Sequence, residues 1–172
     1  MKLLILGAGQ YGQLVKELAR NQYTTIDFLD DNSNIAIAPL NAYKELKEEY
    51  QNAIVAIGNN DVRMEWLEKL ENEGYNIPTL ISDKAYVSPS AEIAKGCIVE
   101  PMVSINTVAK VEKGSIISSG AVVNHNSIVK CGCHIDCNAV VGAGTLVPEK
   151  TNIAYGQVIT KVTRPEGWEF SE

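Results

Sequence analysis

The chain has 172 residues, 45% hydrophobic and 21% charged, with 15 basic against 21 acidic side chains and a formal net charge of −6. That length supports one large domain or two small ones with a proper core and excludes a disulfide-stapled miniprotein, while the negative balance disfavours a nucleic-acid partner, whose phosphates would be held against the overall field. No run of about 18 apolar residues exists to span a bilayer, and the apolar start MKLLIL stops at glycines before reaching the length of a signal-peptide core, so the expectation is a soluble, cytoplasmic protein without a membrane partner.

Residues 1–80 read as three strand-and-helix pairs. Lys2–Leu6 is an apolar run ending in Gly7-Ala8-Gly9-Gln10-Tyr11-Gly12 and leading into an amphipathic stretch at 13–21. A second strand at 26–29 ends in Asp30-Asp31-Asn32, and a helical pattern covers 42–50. A third strand at 53–57 ends in Gly58-Asn59-Asn60-Asp61; the helix at 62–73 has Asn60 and Asp61 as capping candidates and Gly74 as its stop. Ligands of open parallel sheets sit outside the carboxyl ends of the strands, which places these three polar clusters along one crevice. GAGQYG fits the dinucleotide pattern GxGxxG, with Asp30 eighteen residues beyond Gly12. Yet 80 residues supply a single mononucleotide-binding half and nothing to hold a nicotinamide, so a reductase is disfavoured.

From Val87 the chain repeats with a period of six. Position one is Val or Ile in thirteen successive hexapeptides, ending at Ile159; with 33 Ile and Val in 172 residues, chance would produce that run on the order of once in a billion trials. Position five is small or β-branched in twelve of the thirteen, and position four is Gly or Asn in eight, the residue types that tolerate positive φ. Short strands meeting at left-handed corners follow, with three strands closing a triangular coil of 18 residues. Thirteen hexapeptides make a little over four coils, and at about 4.8 Å per coil the prism is roughly 20 Å tall.

This half resembles the left-handed parallel β-helix of the hexapeptide-repeat acyltransferases; the left hand comes from the resemblance, since parallel crossovers are ordinarily right-handed. With the front half added, LLILGAGQYG, FLDDN, AIVAIGNNDVR and PTLISDKAYVSPSAEI together resemble the sugar acyltransferase family typified by PglD and NeuD, from Lys2 to about Ile159. The resemblance implies residues 1–80 as a Rossmann-like nucleotide-sugar-binding domain, 81–164 as the β-helix acyltransferase domain and 165–172 as a tail. It implies acetyl-CoA as co-substrate, a UDP-linked amino sugar as acceptor, and a homotrimer with active sites between neighbouring β-helices.

Carried over by position, the nucleotide-sugar contacts fall on Gly9, Gln10, Tyr11, Asp30, Asp31, Gly58 and Asp61. The general base falls on His125 within Asn124-His125-Asn126, where the family has acidic neighbours. A carboxylate beside the imidazole raises its basicity; an asparagine orients the ring without charge. A hydroxyl needs a stronger base than an amine, so these asparagines favour N-acetylation over O-acetylation of a sialic acid-type sugar. They also keep open a nucleotide-sugar-binding pseudo-enzyme. His134 coincides with a family histidine that contacts acetyl-CoA, and Gly142, Ala143 and Gly144, one coil beyond His125, bring backbone N–H groups to the thioester carbonyl. The chain after His134 is about one coil short of the family, and KVTRPEGWEF replaces its closing loop, with Lys161 and Arg164 as candidate partners of the coenzyme phosphates.

Cys131, Cys133 and Cys137 near two histidines invite a zinc site. However, Cys131 and Cys137 hold position three of successive hexapeptides and so stand at different corners of the triangle. Cys97 and Cys133 are two coils apart, about 9.6 Å and beyond disulfide reach. Free thiols and no metal are expected. Met102 and Val108 are apolar residues expected to face outward, on a prism side covered by neighbouring copies.

Overall fold

A computed structural model describes residues 1–160 of the chain. It opens with a three-stranded parallel sheet in the order β2-β1-β3, formed by β1 (Lys2–Leu6), β2 (Thr25–Leu29) and β3 (Asn52–Val55). Residues 3–6 of the central strand are fully buried, which explains the unbroken apolar run: both faces are covered. Leu3 and Ile5 face α1 (Gln10–Ala19), and Leu4 and Leu6 face α2 (Asn60–Asn72).

Two local expectations are corrected. The helical pattern at 42–50 becomes a 3-10 turn, Leu40–Lys44, followed by a second turn closed on the Leu46 carbonyl. The Tyr43 carbonyl accepts from the Tyr75 hydroxyl at 2.6 Å, a tertiary bond that occupies the acceptor a continuous helix needs. The cap of α2 is Asn59, whose side chain accepts from the Val62 N–H at 3.1 Å. Asn60 and Asp61 reach away instead, to the Lys150 carbonyl (2.8 Å) and ammonium (2.7 Å).

Fourteen two-residue strands then wind into three parallel sheets, the faces of a left-handed triangular prism of about four coils. The first face comprises Leu80–Ile81, Ile98–Val99, Ile116–Ile117, His134–Ile135 and Asn152–Ile153. The second comprises Tyr86–Val87, Ser104–Ile105, Val122–Val123, Val140–Val141 and Val158–Ile159. The third comprises Glu92–Ile93, Lys110–Val111, Ile128–Val129 and Leu146–Val147. The second residue of each pair is position one of the repeat and points inward. With the small position-five residues Cys97, Ala109, Ala121, Cys133 and Ala139 it fills the prism. The four cysteines are unpaired; Cys97 and Cys133 are buried, which pushes their thiols up to about 12 and about 11.

Every corner from Gly96 to Gly156 has a position-four residue at positive φ, including the three that are neither Gly nor Asn: Met102 (63°), Val108 (60°) and Lys150 (54°). Met102 and Val108 therefore stand at two corners flanking the second face, 71% and 47% exposed, rather than on the face itself. A β-branched side chain is strained there, at a cost of about 1–2 kcal/mol. Val108→Asn is expected to raise stability by about 1 kcal/mol, visible as a higher urea midpoint at unchanged m-value; a lower midpoint would contradict the strain.

The front domain rides on the first face. Leu80 and Ile98 complete the core beneath α1, and α2 lies along the edge between the third and first faces. A Cβ on Gly114 would sit 2.6 Å from both Leu67 Cδ1 and Met64 Sδ, so that corner is bare because the helix touches it. Arg63 locks the joint. Its side chain is 0% exposed and donates to the carbonyls of Gly114 (2.7 Å), Ile57, Gly58 and Gly132 (2.9 Å each) and Cys133 (3.2 Å), and to Asn60 Oδ1 (2.7 Å).

Candidate active site

The prism has three edges. The edge between the second and third faces carries Asn106-Thr107-Val108, Asn124-His125-Asn126 and Gly142-Ala143-Gly144 on successive coils. His125 is exposed there. Its ring Nδ1 lies 3.5 Å from the Asn126 side-chain amide. Asn124 does not touch the ring: its Oδ1 accepts from the His125 backbone N–H at 2.8 Å and from Asn106 Nδ2 at 3.2 Å, while Ser104 Oγ donates to Asn106 Oδ1 at 3.1 Å. Asn106 escaped the sequence reading although its signal was present, because it stands one coil, 18 residues, before Asn124.

Above the histidine, the Gly142 N–H donates to the Ile159 carbonyl (2.8 Å) and the Gly144 N–H to the His125 carbonyl (2.9 Å). The Ala143 N–H between them makes no hydrogen bond among the described residues. One backbone donor is thus left over, flanked by two residues without side chains. Lys161, Arg164 and the tail at 165–172 lie outside the described residues.

His134 is on the outward side of the first face, away from His125. Its Nε2 is 3.1 Å from Ser118 Oγ and 3.8 Å from Asp136 Oδ1. Burial lowers its pKa below the ordinary imidazole value, with Asp136 opposing and the Arg63 charge assisting. Within one chain the two histidines therefore do not meet.

The front-domain clusters do come together at the carboxyl end of the sheet. Gly12 is required in the first turn, since a Cβ on it would lie 2.0 Å from the Gly7 carbonyl oxygen. Gly9 precedes α1 with no side-chain cap and no acidic residue in the first turn, and neither Gly9 nor Gly58 has anything within 4 Å of where a Cβ would be. Gln10 is exposed beside them. The carboxylates are already engaged. Asp30 accepts from the N–H groups of Ala8 and Asn32 (2.8 Å each), which hold it below the usual carboxylate range; Asp31 accepts from the Leu40 N–H (2.9 Å), and Asp61 pairs with Lys150. Tyr11 turns toward the prism, where its hydroxyl is sealed from water without a hydrogen-bond partner and burial, then the charge of Glu100, pushes its pKa up. Two cavities of about 460 Å³ flank α1, and none of these cluster residues lines them. No group of three or more His, Cys, Asp or Glu among the described residues is arranged to hold a metal ion, and no described helix is long and apolar enough to cross a membrane.

The chain is thus a parallel three-sided solenoid behind a small α/β domain, with an exposed imidazole on one solenoid edge. Residues 2–70 match the family model of the PglD N-terminal domain. The acetyltransferase domain of PglB from Neisseria gonorrhoeae FA1090 is 30% identical, with a TM-score of 0.88 over 94% of this chain and 83% of that one. Its complex with acetyl coenzyme A superposes with the same score at 31% identity, covering 94% of this chain and 82% of that one. PerB from Caulobacter crescentus, solved with CoA and GDP-perosamine, has the same fold, with a TM-score of 0.67 and 24% identity over 90% and 92% of the two chains. The chain belongs to the PglD/NeuD-type sugar acetyltransferase family.

Proposed function

We propose that the protein transfers an acetyl group from acetyl-CoA to the amino group of a UDP-linked amino sugar, with His125 as general base. The observation that carries this is the pairing, one coil apart on a single edge, of an exposed imidazole with the uncommitted N–H of Ala143. His125 removes the proton as the amine attacks the thioester carbonyl. The N–H of Ala143 donates to the oxygen that becomes negative, and the C–S bond breaks to release CoA thiolate. For the proton to arrive at Nε2, Asn126 must turn its amide oxygen to the ring and accept from Nδ1–H. Asn124 fixes the main chain of His125 rather than its ring.

The nucleotide belongs at the first turn and the third strand end. The uncapped N-terminus of α1 suits a pyrophosphate, Gly9, Gln10 and Gly58 leave open space around it, and Asp30 and Asp31 stiffen the loop that borders it. Residues 1–80 then bind the acceptor and 81–164 carry the transfer. That crevice lies against the first face, whereas His125 stands on the edge opposite it, so an acceptor held by one chain is served by the imidazole of a neighbour. A homotrimer closes this arrangement and brings His134 of one chain to acetyl-CoA held on the next.

The test is thiol release from acetyl-CoA with a panel of UDP- and GDP-linked amino sugars, alongside their hydroxyl analogues. Turnover with at least one UDP-amino sugar and a trimeric sedimentation coefficient are expected. Binding of nucleotide sugars without any thiol release would replace the transferase by a binding module, and turnover confined to hydroxyl acceptors would make it an O-acetyltransferase.

A further inference from the structure

Where the first turn of the front domain meets the prism, a polar cluster is left that neither the nucleotide nor the thioester accounts for. Asp136 follows the strand of His134 at the edge between the first and second faces, and it is only 9% exposed. A carboxylate that far from water ordinarily finds a cation or several N–H donors. This one has neither among the described residues, its one partner being the hydroxyl of Tyr155. His134 stands 3.8 Å away, and its burial lowers the imidazole pKa; Arg63 spends its donors on carbonyls and Asn60, and Lys150 is paired with Asp61. Glu100, the other carboxylate of the cluster, is satisfied by the N–H and Oγ of Ser119 at 2.9 Å each.

Two further observations come from the same place. The hydroxyl of Tyr11 is buried without a partner, and it lies close enough to Glu100 for that charge to add to the effect of burial in resisting its ionisation. On the next coil, beside Ala154, which stands above Asp136, Tyr155 is 74% exposed, and the charge of Asp136, together with a hydrogen bond to its carboxylate, pushes the pKa of the Tyr155 hydroxyl up. Such a site is rich in acceptors, short of cations and bordered by an open aromatic face. A phosphate is repelled from it, while a ligand with several hydroxyl donors and an apolar C–H face fits.

Building on the acceptor proposed above, we propose that Asp136 and Tyr155 form the subsite for its sugar ring: the carboxylate accepts ring hydroxyls and the tyrosine packs on the C–H face of the pyranose. The acceptor then spans both domains of one chain, its pyrophosphate at α1 and its sugar on the prism, turned toward the neighbour's imidazole.

Calorimetry with UDP and with a UDP-linked 4-amino-4-deoxyhexose, on wild type, Asp136→Asn and Tyr155→Ser, tests this. Wild type should bind the sugar nucleotide at least about 10-fold more tightly than UDP. Asp136→Asn should lose about 10- to 100-fold for the sugar nucleotide and nothing for UDP. Tyr155→Ser, at an exposed position that does not endanger folding, should lose a smaller factor with the same selectivity. Equal losses for both ligands, or no loss, would overturn the subsite. Wild-type acetyl transfer without preference for the sugar nucleotide over UDP would remove the subsite and leave the transferase reading standing; binding of neither ligand together with no transfer to any acceptor would remove both.

Discussion

His125→Ala is expected to lower kcat by about 10²- to 10⁴-fold while the KM of the sugar nucleotide barely moves. The imidazole is exposed on an edge remote from the crevice of its own chain, so truncating it removes proton transfer and little ground-state binding. Thiol release at saturating acetyl-CoA reads the effect directly, and an unchanged kcat would remove His125 from the role. Folding should be unaffected, because the corner is held by backbone: the His125 N–H on Asn124 Oδ1, the Asn126 N–H on the Thr107 carbonyl at 3.0 Å, and the Gly144 N–H on the His125 carbonyl.

Arg63→Met should have the largest effect on stability, about 3–5 kcal/mol. Methionine matches much of the buried stem but removes the donor from six acceptors at the joint between the domains, five of them backbone carbonyls, of which the Cys133 carbonyl keeps the Ile116 N–H. At about 2–4 °C per kcal/mol for a chain of this size, the melting temperature should fall by roughly 6–20 °C. Arg63→Lys should not restore it, since a compact ammonium cannot serve carbonyls of Ile57, Gly58, Gly114 and Gly132 at once. A change of a degree or two in calorimetry would show that the joint is held by the packing of Leu67 and Met64 alone.

The prism was legible in the sequence because its physics repeats. Each coil needs a β-branched wedge and a small inward residue at fixed spacing, and thirteen hexapeptides say so in unison. The three polar strand ends of the front domain were legible for the related reason that an apolar run must stop where the chain turns. What the pattern did not carry was set by single tertiary bonds. The Tyr75 hydroxyl on the Tyr43 carbonyl turned a helical pattern into two turns, and Asn59 took the cap that Asn60 and Asp61 were expected to supply.

The candidate site divides in the same way. The place of His125 on an edge follows from counting by six, as does Ala143 one coil above it. That the front domain covers the opposite face does not, since the joint is held by Arg63, which the sequence reading places on the helix at 62–73 without any sign of that contact. The hydrogen bonds of Asp30 and Asn124 to backbone have a local reason: a short polar side chain next to a turn bonds first to the nearest backbone N–H.

Because each coil consumes 18 residues and each face six, the solenoid can lengthen or shorten only in certain steps without harm. Removing one full circuit above the histidine shortens the prism yet leaves every remaining side chain pointing as before, whereas a six-residue change below it would swing the imidazole by a third of a revolution onto a different edge. Size differences among such transferases should therefore come in quanta of eighteen, with anything smaller confined to the loops that hang from the edges.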